Sequence, residues 1–500
     1  QREKHKAGGR GSQYRHRGQQ ECVRSGAPER GAAGGRRWRS AGRRGGTKGR
    51  SSDVIVVGGG GGGGMAAVSA AREGAEVRLV SDKRSTMQQA SGLIDALGYL
   101  PPTGDDAELT PTAGRTGAMD QRATPEGPLP EPFAAVDRLP EGHPYRLVGA
   151  EALRSGLALF DEMVDSYHGA HTDRNALVPT FGGSVKPTAR YPASVAGGLA
   201  SDGAPMLVVG FRSLAAFDAR RVAGQLRETG VPFSVAGREL TLPAALADDM
   251  TPTRVAHALD RDERLDGTPA RAALAALIEP HLDAVKGGAA RVGLPACLGD
   301  ERVEAVCEEL SDRLGARVFE IPMGPPSLPG LRLSDRLYES LDEAGVRYET
   351  GNPVVGVETD ADGRVDAVLV DRKGTEIPYG ADGIVLATGG LVGKGLDSDR
   401  EGVREPVLGC HVPHPAERYE WYVDDVFGDQ PYARFGVATD ERLRPLDAAG
   451  GVQFPNVHVA GATLRGAAAA RDNSASDVSL SIGVLAGRQA ASLAATGVFG

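Results

Sequence analysis

Seven consecutive glycines, residues 58–64, carry the clearest chemical signal in this sequence. They follow the β-branched run Asp53–Val57 and precede a segment of helical composition that ends at Gly74. A second strand-like run, Ala75–Ser81, comes next. A strand, a glycine-rich turn, a helix and a second strand within about 30 residues form the unit that binds dinucleotides, with phosphate at the helix N-terminus. We therefore predict a phosphate-binding turn rather than a flexible linker.

Within the run, Gly58, Gly60 and Gly63 match the spacing G-x-G-x-x-G. The first glycine allows a tight turn, the second lets phosphate approach the backbone, and the third lets the helix pack on the strand. The second strand ends in Ser81, where an acid usually binds the ribose hydroxyls. Asp82 lies one residue later and is expected to point the other way. The turn thus lacks the usual ribose-binding carboxylate.

Two later turns resemble flavin-binding turns. A strand ends in Ala387, Thr388, Gly389 and Gly390, and another enters a turn at Gly461 before a long apolar-faced helix. An N-terminal glycine unit combined with such turns is typical of flavoproteins with two dinucleotide-binding units. We predict cofactor contacts at Thr388, Gly389, Gly390 and Gly461, together with the first turn and Ser81. Residues 474–477 replace the glycines usual before the last helix, and their side chains are expected to crowd the flavin.

The order of elements predicts an α/β fold. A Rossmann-like flavin-binding domain, with a parallel sheet, helices and a β-hairpin insert, is expected from residues 51–100 and 331–500. Residues 101–330 would form an inserted substrate or interface region. This region contains further β–α units, such as Ala204–Gly230.

Charge divides the chain into two parts. Residues 1–50 carry 15 Lys or Arg and three Glu, and they lack hydrophobic periodicity. We interpret them as a disordered extension rather than a nucleic-acid-binding arm, because such a composition cannot form a core. The other 450 residues carry 42 basic and 63 acidic residues, and only eight residues of the whole chain are lysine. This acid excess favours a halophilic protein over simple codon bias.

The cysteines and the hydropathy of the chain indicate where in the cell the protein is expected to act. The four cysteines include no CxxC pair, which favours a reducing, cytoplasmic setting. The longest apolar runs are much shorter than the ~20 residues of a membrane span. Any attachment to a membrane is therefore expected to be peripheral, through a partner.

Several segments resemble one family, the B subunits of anaerobic glycerol-3-phosphate dehydrogenase, which are flavoproteins related to the flavin subunits of fumarate reductase and succinate dehydrogenase. The matching segments are Ala90–Leu97, His143–Gly149, Leu294–Gly299, Pro325–Leu333, Glu401–Gly409, Glu420–Tyr422 and Phe435–Pro445. The resemblance implies oxidation of sn-glycerol 3-phosphate to dihydroxyacetone phosphate, with electrons passed towards quinone. It also implies FMN (alternatively FAD), a catalytic A subunit that is itself a flavoprotein, and a membrane-bound C subunit that carries the iron–sulfur clusters.

Arg332, Arg404 and His411 are the predicted substrate-binding residues. The two arginines lie in family-matching segments and could hold an oxyanion, or could form structural salt bridges instead. His411 could act as a base, or could join Cys410 and His414 at a metal, but three ligands without a second cluster do not favour a metal site. No catalytic residue is assigned. Two other functions stay open: a stand-alone flavoprotein reductase of another small acid, and a non-catalytic or electron-relay subunit.

Overall fold

The computed structural model describes residues 51–101, 127–169, 173–243, 246, 251–426 and 428–495. The basic segment 1–50 lies outside them, so its predicted disorder stays a prediction. Two sheets dominate the described part of the chain, and each sheet has its own large hydrophobic core.

Strands of three or more residues are numbered along the chain. They are β1 (Ser51–Val57), β2 (Val77–Ser81), β3 (Ala176–Pro179), β4 (Val185–Thr188), β5 (Met206–Phe211), β6 (Val235–Leu240), β7 (Arg291–Pro295), β8 (Arg317–Ile321), β9 (Arg347–Thr350), β10 (Val354–Thr359), β11 (Val365–Arg372), β12 (Thr375–Leu386) and β13 (Val457–Val459). Two-residue strands pair as Tyr167–His168 with Tyr191–Pro192, Arg264–Leu265 with Thr268–Pro269, and Asp397–Ser398 with Val403–Arg404.

The α-helices are α1 (Gly61–Arg72), α2 (Pro144–Val148), α3 (Ala150–Met163), α4 (Ala219–Glu228), α5 (Pro252–Asp260), α6 (Ala270–Ile278), α7 (Val303–Leu314), α8 (Leu328–Glu343), α9 (Ala469–Asp472) and α10 (Ala475–Ala495). The 3₁₀ turns are Thr86–Gln89, Phe133–Arg138, Ala193–Gly198, Glu279–Ala284, Arg418–Trp421, Pro431–Arg434 and Gly461–Thr463.

The larger sheet has the strand order β9-β2-β1-β12-β11-β10, and β13 also pairs with β12. Strands β9, β2, β1, β12 and β13 are parallel neighbours, whereas β10, β11 and the first half of β12 form the predicted antiparallel hairpin insert. Val54, Ile55 and Val56 of β1 are fully buried, as expected for a central parallel strand. The α/β class and the Rossmann-like sheet predicted from the sequence are confirmed.

Helix α10 packs directly on α1 through small residues. A Cβ on Gly483 would lie 2.3 Å from Gly62 O, and one on Gly487 would lie 2.2 Å from Ala66 O. Only glycine permits this close contact of the two backbones at these positions. Among the described helices, α10 alone has the length and composition of a membrane span, but 56% of that stretch is buried. Its position between α1 and α3 is that of a core helix.

The smaller sheet has the order β8-β7-β5-β6, with all strands parallel, and it contains the predicted β–α unit at Ala204–Gly230. Its core is built from residues between Val185 and Leu328. The first core, however, includes residues between Leu129 and Val164, and α3 packs against α10. The apolar face of α3 packs on α10 and buries it. Residues between Leu129 and Val164, which were predicted as part of the inserted region, therefore share the core of the flavin-binding unit.

Candidate functional site

The C-terminal ends of β1, β12 and β13 form one edge, because these strands are parallel neighbours. Val57 pairs with Leu386, and Leu386 pairs with Val459. Backbone bonds continue into the turns, since Ala387 N–H donates to Val57 O at 2.8 Å and Ala460 N–H donates to Leu386 O at 2.9 Å. The three predicted cofactor turns therefore begin at a common edge of the sheet, where open α/β sheets bind ligands.

The glycine turn has the geometry of a phosphate-binding turn. Gly58 has a φ of +115°, and a Cβ there would lie 2.2 Å from Ala387 O. A Cβ on Gly63 would lie 1.9 Å from Gly58 O. Around Gly60 the space is open, since the nearest atom to an added Cβ is Ser85 Oγ at 3.9 Å. The turn is thus closed by packing at its two ends and accessible in its middle.

The other glycines of the run are explained by packing of α1. A Cβ on Gly61 would lie 3.2 Å from the Leu480 side chain, one on Gly62 would lie 3.1 Å from Ser479 O, and one on Gly64 would lie 2.6 Å from the Leu337 side chain. The first hydrogen bond between α1 and the turn is that from Gly64 N–H to Gly60 O, at 2.9 Å. The N–H groups ahead of it form the open N-terminus, where a phosphate is stabilised.

The turns after β12 and β13 are joined by a threonine that no sequence motif indicated. Gly389 N–H donates to Thr463 Oγ1 at 2.9 Å, and both Gly389 and Gly461 have positive φ angles. Gly390 lies against the second turn, with Ala462 O 2.9 Å from a Cβ built on it. Thr388 Oγ1 is buried and makes no hydrogen bond within the described part of the chain. A buried hydroxyl without a partner indicates an absent ligand or water.

Ser81 is buried at the end of β2, and its hydroxyl makes two hydrogen bonds. It accepts from Gly59 N–H at 3.2 Å and donates to Lys83 O at 2.7 Å. Asp82 is exposed, in agreement with the prediction that its side chain points away from that of Ser81. Next to them, on β9 and α8, Tyr348 and Tyr338 stack with ring centroids 5.2 Å apart, and burial together with a hydrogen bond between the two hydroxyls raises the pKa of Tyr348. No sequence pattern pointed to these tyrosines, because β9 and α8 are distant along the chain.

Residues 474–477 do not crowd the glycine turn. Ser476 Oγ donates to Leu93 O at 3.1 Å, whereas the side chains of Ser474 and Asp477 are completely buried. The residues of α10 that face the glycine run are instead Ser479 and Leu480. Crowding of the flavin by residues 474–477 stays a prediction.

Asp477 lies in a buried polar cluster below the turns. Its carboxylate accepts from the Ser481 hydroxyl, and the Tyr145 hydroxyl lies beside it. Burial raises the pKa of Asp477 to about 6, although these hydrogen bonds and Arg190 oppose the shift. The cluster also contains an ion pair between Lys186 and Asp95 at 2.7 Å.

Arg332 and Arg404, the two arginines predicted to bind substrate, both form ion pairs in the described structure. Arg332 is bound to the buried Glu320 at 2.7 and 3.0 Å, and it also donates to Gly299 O. Arg404 is exposed and pairs with Asp397 at 2.6 Å and with Asp399. Both arginines therefore form structural salt bridges, which was the alternative to binding an oxyanion.

His411 is half-buried, and its backbone N–H is held by Gln453 Oε1 at 3.1 Å. The neighbouring candidates for a metal are engaged elsewhere. His414 Nε2 accepts from Val403 N–H at 3.3 Å, and its Nδ1 lies 2.7 Å from Val412 O. Burial raises the pKa of the Cys410 thiol well above its usual range. Among the residues that the structure describes, no group of three His, Cys, Asp or Glu is arranged to hold a metal.

A cavity of about 360 Å³ lies close to the β13 turn, and its cations were not identified from the sequence. Arg434 and Arg465 line it, and Gly466 N–H donates to Arg434 O at 3.0 Å. Arg465 is two residues from Thr463, hence at most ~7 Å away along the backbone. The Arg465 side chain has no ion pair within the described residues, and Arg471 Nε and Nη2 are buried without partners.

Asp429 connects two of these arginines. It accepts from Arg434 at 2.8 and 3.0 Å and lies 3.8 Å from Arg471. One carboxylate therefore faces two guanidinium groups, with Arg465 as a third cation nearby. The lining itself contains two guanidinium groups, those of Arg434 and Arg465, which are of the kind that binds oxyanions.

Comparison with known proteins identifies the family. The family model "FAD binding domain" matches residues 53–476. The probable B subunit of anaerobic glycerol-3-phosphate dehydrogenase from Halobacterium salinarum is 49% identical over 430 residues, which cover 85% of this chain and 94% of the relative. The chain belongs to this B-subunit family. The corresponding B subunit of Pectobacterium atrosepticum is 30% identical over 414 residues, or 80% of this chain and 89% of the relative.

Membership of the B-subunit family confirms the resemblance found in the sequence and the oxidoreductase, flavoprotein class. It also places the chain in a multi-subunit assembly. The matching model is that of an FAD-binding domain, so the expectation of FMN is not supported and FAD is favoured. The residues fit such a cofactor, because the turn is open at Gly60 and Thr388 Oγ1 lacks a partner among the described residues.

Proposed function

We propose that this chain is the flavin-dependent subunit of a glycerol-3-phosphate:quinone dehydrogenase, which oxidises sn-glycerol 3-phosphate to dihydroxyacetone phosphate. The observation that carries the proposal is the meeting of three turns at one sheet edge, beside the open N-terminus of α1. The names of the relatives supply the substrate and the subunit role.

FAD is the cofactor that we assign to this edge. The N–H groups of the first turn of α1 would hold its pyrophosphate, with Gly60 giving the closest approach. Thr388 Oγ1 and the backbone at Gly389 and Gly461 would contact its other half. When bound, the flavin supplies the acceptor for the hydride from the carbinol carbon of the substrate.

The arginine-lined cavity is the place that we assign to the phosphate of glycerol 3-phosphate. Arg465 and Arg434, of which Arg434 is also bound by Asp429, are the cations that line it, and its volume of about 360 Å³ lies within the usual range of ~300–1,000 Å³ for small-molecule sites. Arg465 follows the β13 turn directly, so a phosphate held there would place the carbinol carbon near the flavin edge. Arg332 and Arg404, which we predicted for this role, are occupied by Glu320, Asp397 and Asp399.

A catalytic A subunit and a membrane-bound iron–sulfur C subunit are the partners that we propose, with quinone as the final acceptor. Five of the nine exposed large apolar residues in the described chain lie together, at Tyr419, Tyr422, Val423, Val426 and Tyr432. Segment 417–432 carries five acidic residues and one arginine. A partner surface that is apolar and basic fits this segment, and an anionic lipid surface does not.

The A subunit is the partner that we place on segment 417–432. The segment leads directly to Arg434 at the cavity, so a protein bound there would cover the substrate site. Attachment to the inner face of the cell membrane would then be provided by the C subunit. The iron–sulfur clusters would belong to that partner, which would carry electrons onward to quinone.

One observation favours a second function, that of a non-catalytic electron-relay subunit. Among the described residues that line the arginine-lined cavity, the one imidazole is that of His143, and it is engaged on both sides: Nδ1 accepts from Tyr145 N–H at 3.1 Å, and Nε2 lies 3.5 Å from the buried Asp472 carboxylate. Oxidation of glycerol 3-phosphate by the flavin-loaded chain alone, with a dye as acceptor, separates the two functions. Activity of the isolated chain supports catalysis here. Activity only after addition of the A subunit would assign this chain to electron relay.

A further inference from the structure

Asp429 connects the exposed segment 417–432 to the arginine-lined cavity. The other four acids of the segment are exposed: Glu417, Glu420, Asp424 and Asp425. The Asp429 side chain is instead 25% exposed, and both of its oxygens accept from Arg434 Nη2, at 2.8 and 3.0 Å. Because Arg434 lines the cavity, an acid of the exposed segment already occupies one of the two cations there.

This carboxylate and a bound oxyanion are alternative partners of Arg434. The pair is about a quarter exposed on both sides, and partly exposed ion pairs contribute little net free energy because water competes for them. A phosphate in the cavity would meet Arg434 and Arg465 together. If Asp429 stayed on Arg434, two anions would share one guanidinium group, and the repulsion between them would weaken binding of the phosphate.

Gln430 couples Asp429 to the exposed apolar part of the segment. Its side-chain amide accepts from Val423 N–H at 3.0 Å, and it donates to Val423 O at 3.3 Å and to Asp425 O at 2.7 Å. These bonds close the loop on itself, and Val426 in this loop is 81% exposed. A protein that binds Val426 would therefore act on Asp429 through the loop.

The charge of the segment indicates which kind of partner would release Arg434. Residues 417–432 carry five acids and one arginine, which attract a basic surface. A lysine or arginine of that surface can reach Asp429, because the carboxylate is a quarter exposed. The backbone of Arg434 would stay in place, since Gly466 N–H donates to Arg434 O at 3.0 Å. Its guanidinium group would then be available to an oxyanion.

We propose that Asp429 is an internal competitor that regulates the arginine-lined cavity. In the isolated chain it pairs with Arg434 and weakens binding of an oxyanion, and a basic protein partner bound to segment 417–432 removes this competition. The cavity would thus reach its full affinity only in the assembled complex. This inference rests on the proposed function, in which the cavity holds the phosphate of glycerol 3-phosphate.

Isothermal titration of the full-length, flavin-loaded chain with glycerol 3-phosphate tests the inference. Asp429→Asn removes the competing charge, so its dissociation constant is expected to be about fivefold lower than that of the parent. If Asp429 only held Arg434 in position, the same change would weaken binding. Asp399→Asn is the matched control, because Asp399 pairs with Arg404 in another exposed ion pair, and it should leave the affinity unchanged. Thermal unfolding checks the fold, and Asp429→Ser replaces Asp429→Asn if the latter does not fold.

The role of the partner is tested by the same titration of the complex that contains the A subunit. Any site on the A subunit contributes equally to the parent and to Asp429→Asn, so the readout is the ratio of their two dissociation constants. We expect this ratio to fall from about five in the isolated chain to about one in the complex. A ratio of about five in both would overturn regulation by the partner.

Binding by Asp429→Asn that is equal to or weaker than that of the parent would overturn the inference. Arg465→Gln separates this failure from a failure of the proposed function. If Arg465→Gln weakens binding in the parent while Asp429→Asn changes nothing, the cavity holds the phosphate and only the role of Asp429 is refuted. If Arg465→Gln has no effect in the parent or in Asp429→Asn, the phosphate does not bind in this cavity and the proposed substrate site fails.

Discussion

Gly63 lies so close to Gly58 that a Cβ on Gly63 would come within 1.9 Å of the Gly58 carbonyl oxygen. This contact fixes the first turn of α1 against the end of β1. Gly60, between them, makes no such contact, since an added Cβ would find nothing nearer than 3.9 Å. Gly58 and Gly63 are therefore needed for folding, whereas Gly60 is needed for binding of phosphate.

Gly60→Ala is expected to weaken flavin binding at least tenfold without loss of folding, because the added methyl enters the space where phosphate approaches the backbone. Isothermal titration with FAD measures the affinity, and thermal unfolding of the flavin-free protein measures stability. Gly224→Ala, in α4, is the control, since its Cβ would have only Arg227 Nη2 at 3.8 Å. Equal affinity of Gly60→Ala and parent would show that phosphate does not bind at this turn.

Arg465→Gln and Arg434→Gln are expected to raise the KM for glycerol 3-phosphate about tenfold or more each, because each removes one cation from the lining of the cavity. The flavin content should not change, since neither side chain contacts the glycine turn in the described structure. Steady-state kinetics with a dye acceptor provides the measurement. Arg404→Gln is the control, because Arg404 pairs with Asp397 and Asp399 at the surface. A KM that rises only in the control would place the phosphate elsewhere.

Asp477→Asn is expected to change how stability depends on pH. The pKa of Asp477 is raised to about 6 in the folded chain, from 3.8 when unfolded. Its contribution to the free energy of unfolding is therefore complete below pH 4 and is lost as pH rises through 6, by up to about 3 kcal/mol. Relative to the parent, the variant should gain stability between pH 4.5 and 7.5 in chemical unfolding.

The control for this pH experiment is Asp82→Asn, which removes an exposed acid near the glycine turn. The free energies of unfolding of Asp477→Asn and the parent are compared at about pH 4.5 and 7.5. If their difference is the same at these two pH values, Asp477 is ionised throughout this range. The Ser481 hydroxyl and Tyr145 would then hold a carboxylate rather than a carboxylic acid.

Tyr419→Ser combined with Val426→Ser is expected to abolish co-purification of the A subunit while leaving the melting temperature within about 1 °C of the parent, since both residues are 81% exposed. The complex is isolated from the native source through a tag on this chain, and its components are identified by mass. Val392→Ser, a change of another exposed valine, is the control. Retention of the A subunit by the double variant rules out this segment as the contact.

The sequence predicted the parts of the fold that are local and periodic. The β1–α1–β2 unit, the hairpin insert and the strand turns at Gly389 and Gly461 follow from short-range patterns and were confirmed. Side-chain partners could not be predicted in this way, because they depend on which distant segments meet. Arg332 matched a family segment, yet only the structure shows that β8 places Glu320 against its guanidinium group.

The same reason explains the missed residues. Arg465 belongs to no motif, and it acquires a role only because the β13 turn lies beside the cavity. The excess of glycines in the run was noticed in the sequence but had no explanation there. Gly62 and Gly64 are explained by α10 and Leu337, which are remote along the chain.

The central claim is that this chain holds a flavin that accepts electrons from glycerol 3-phosphate. The most direct measurement is an anaerobic absorbance titration of the purified, flavin-loaded chain with sn-glycerol 3-phosphate, followed by acid release and identification of the flavin. We predict one FAD per chain and bleaching of its visible band by the substrate. A purified chain without flavin, or a flavin whose band stays unchanged after addition of glycerol 3-phosphate and the A subunit, would contradict this claim.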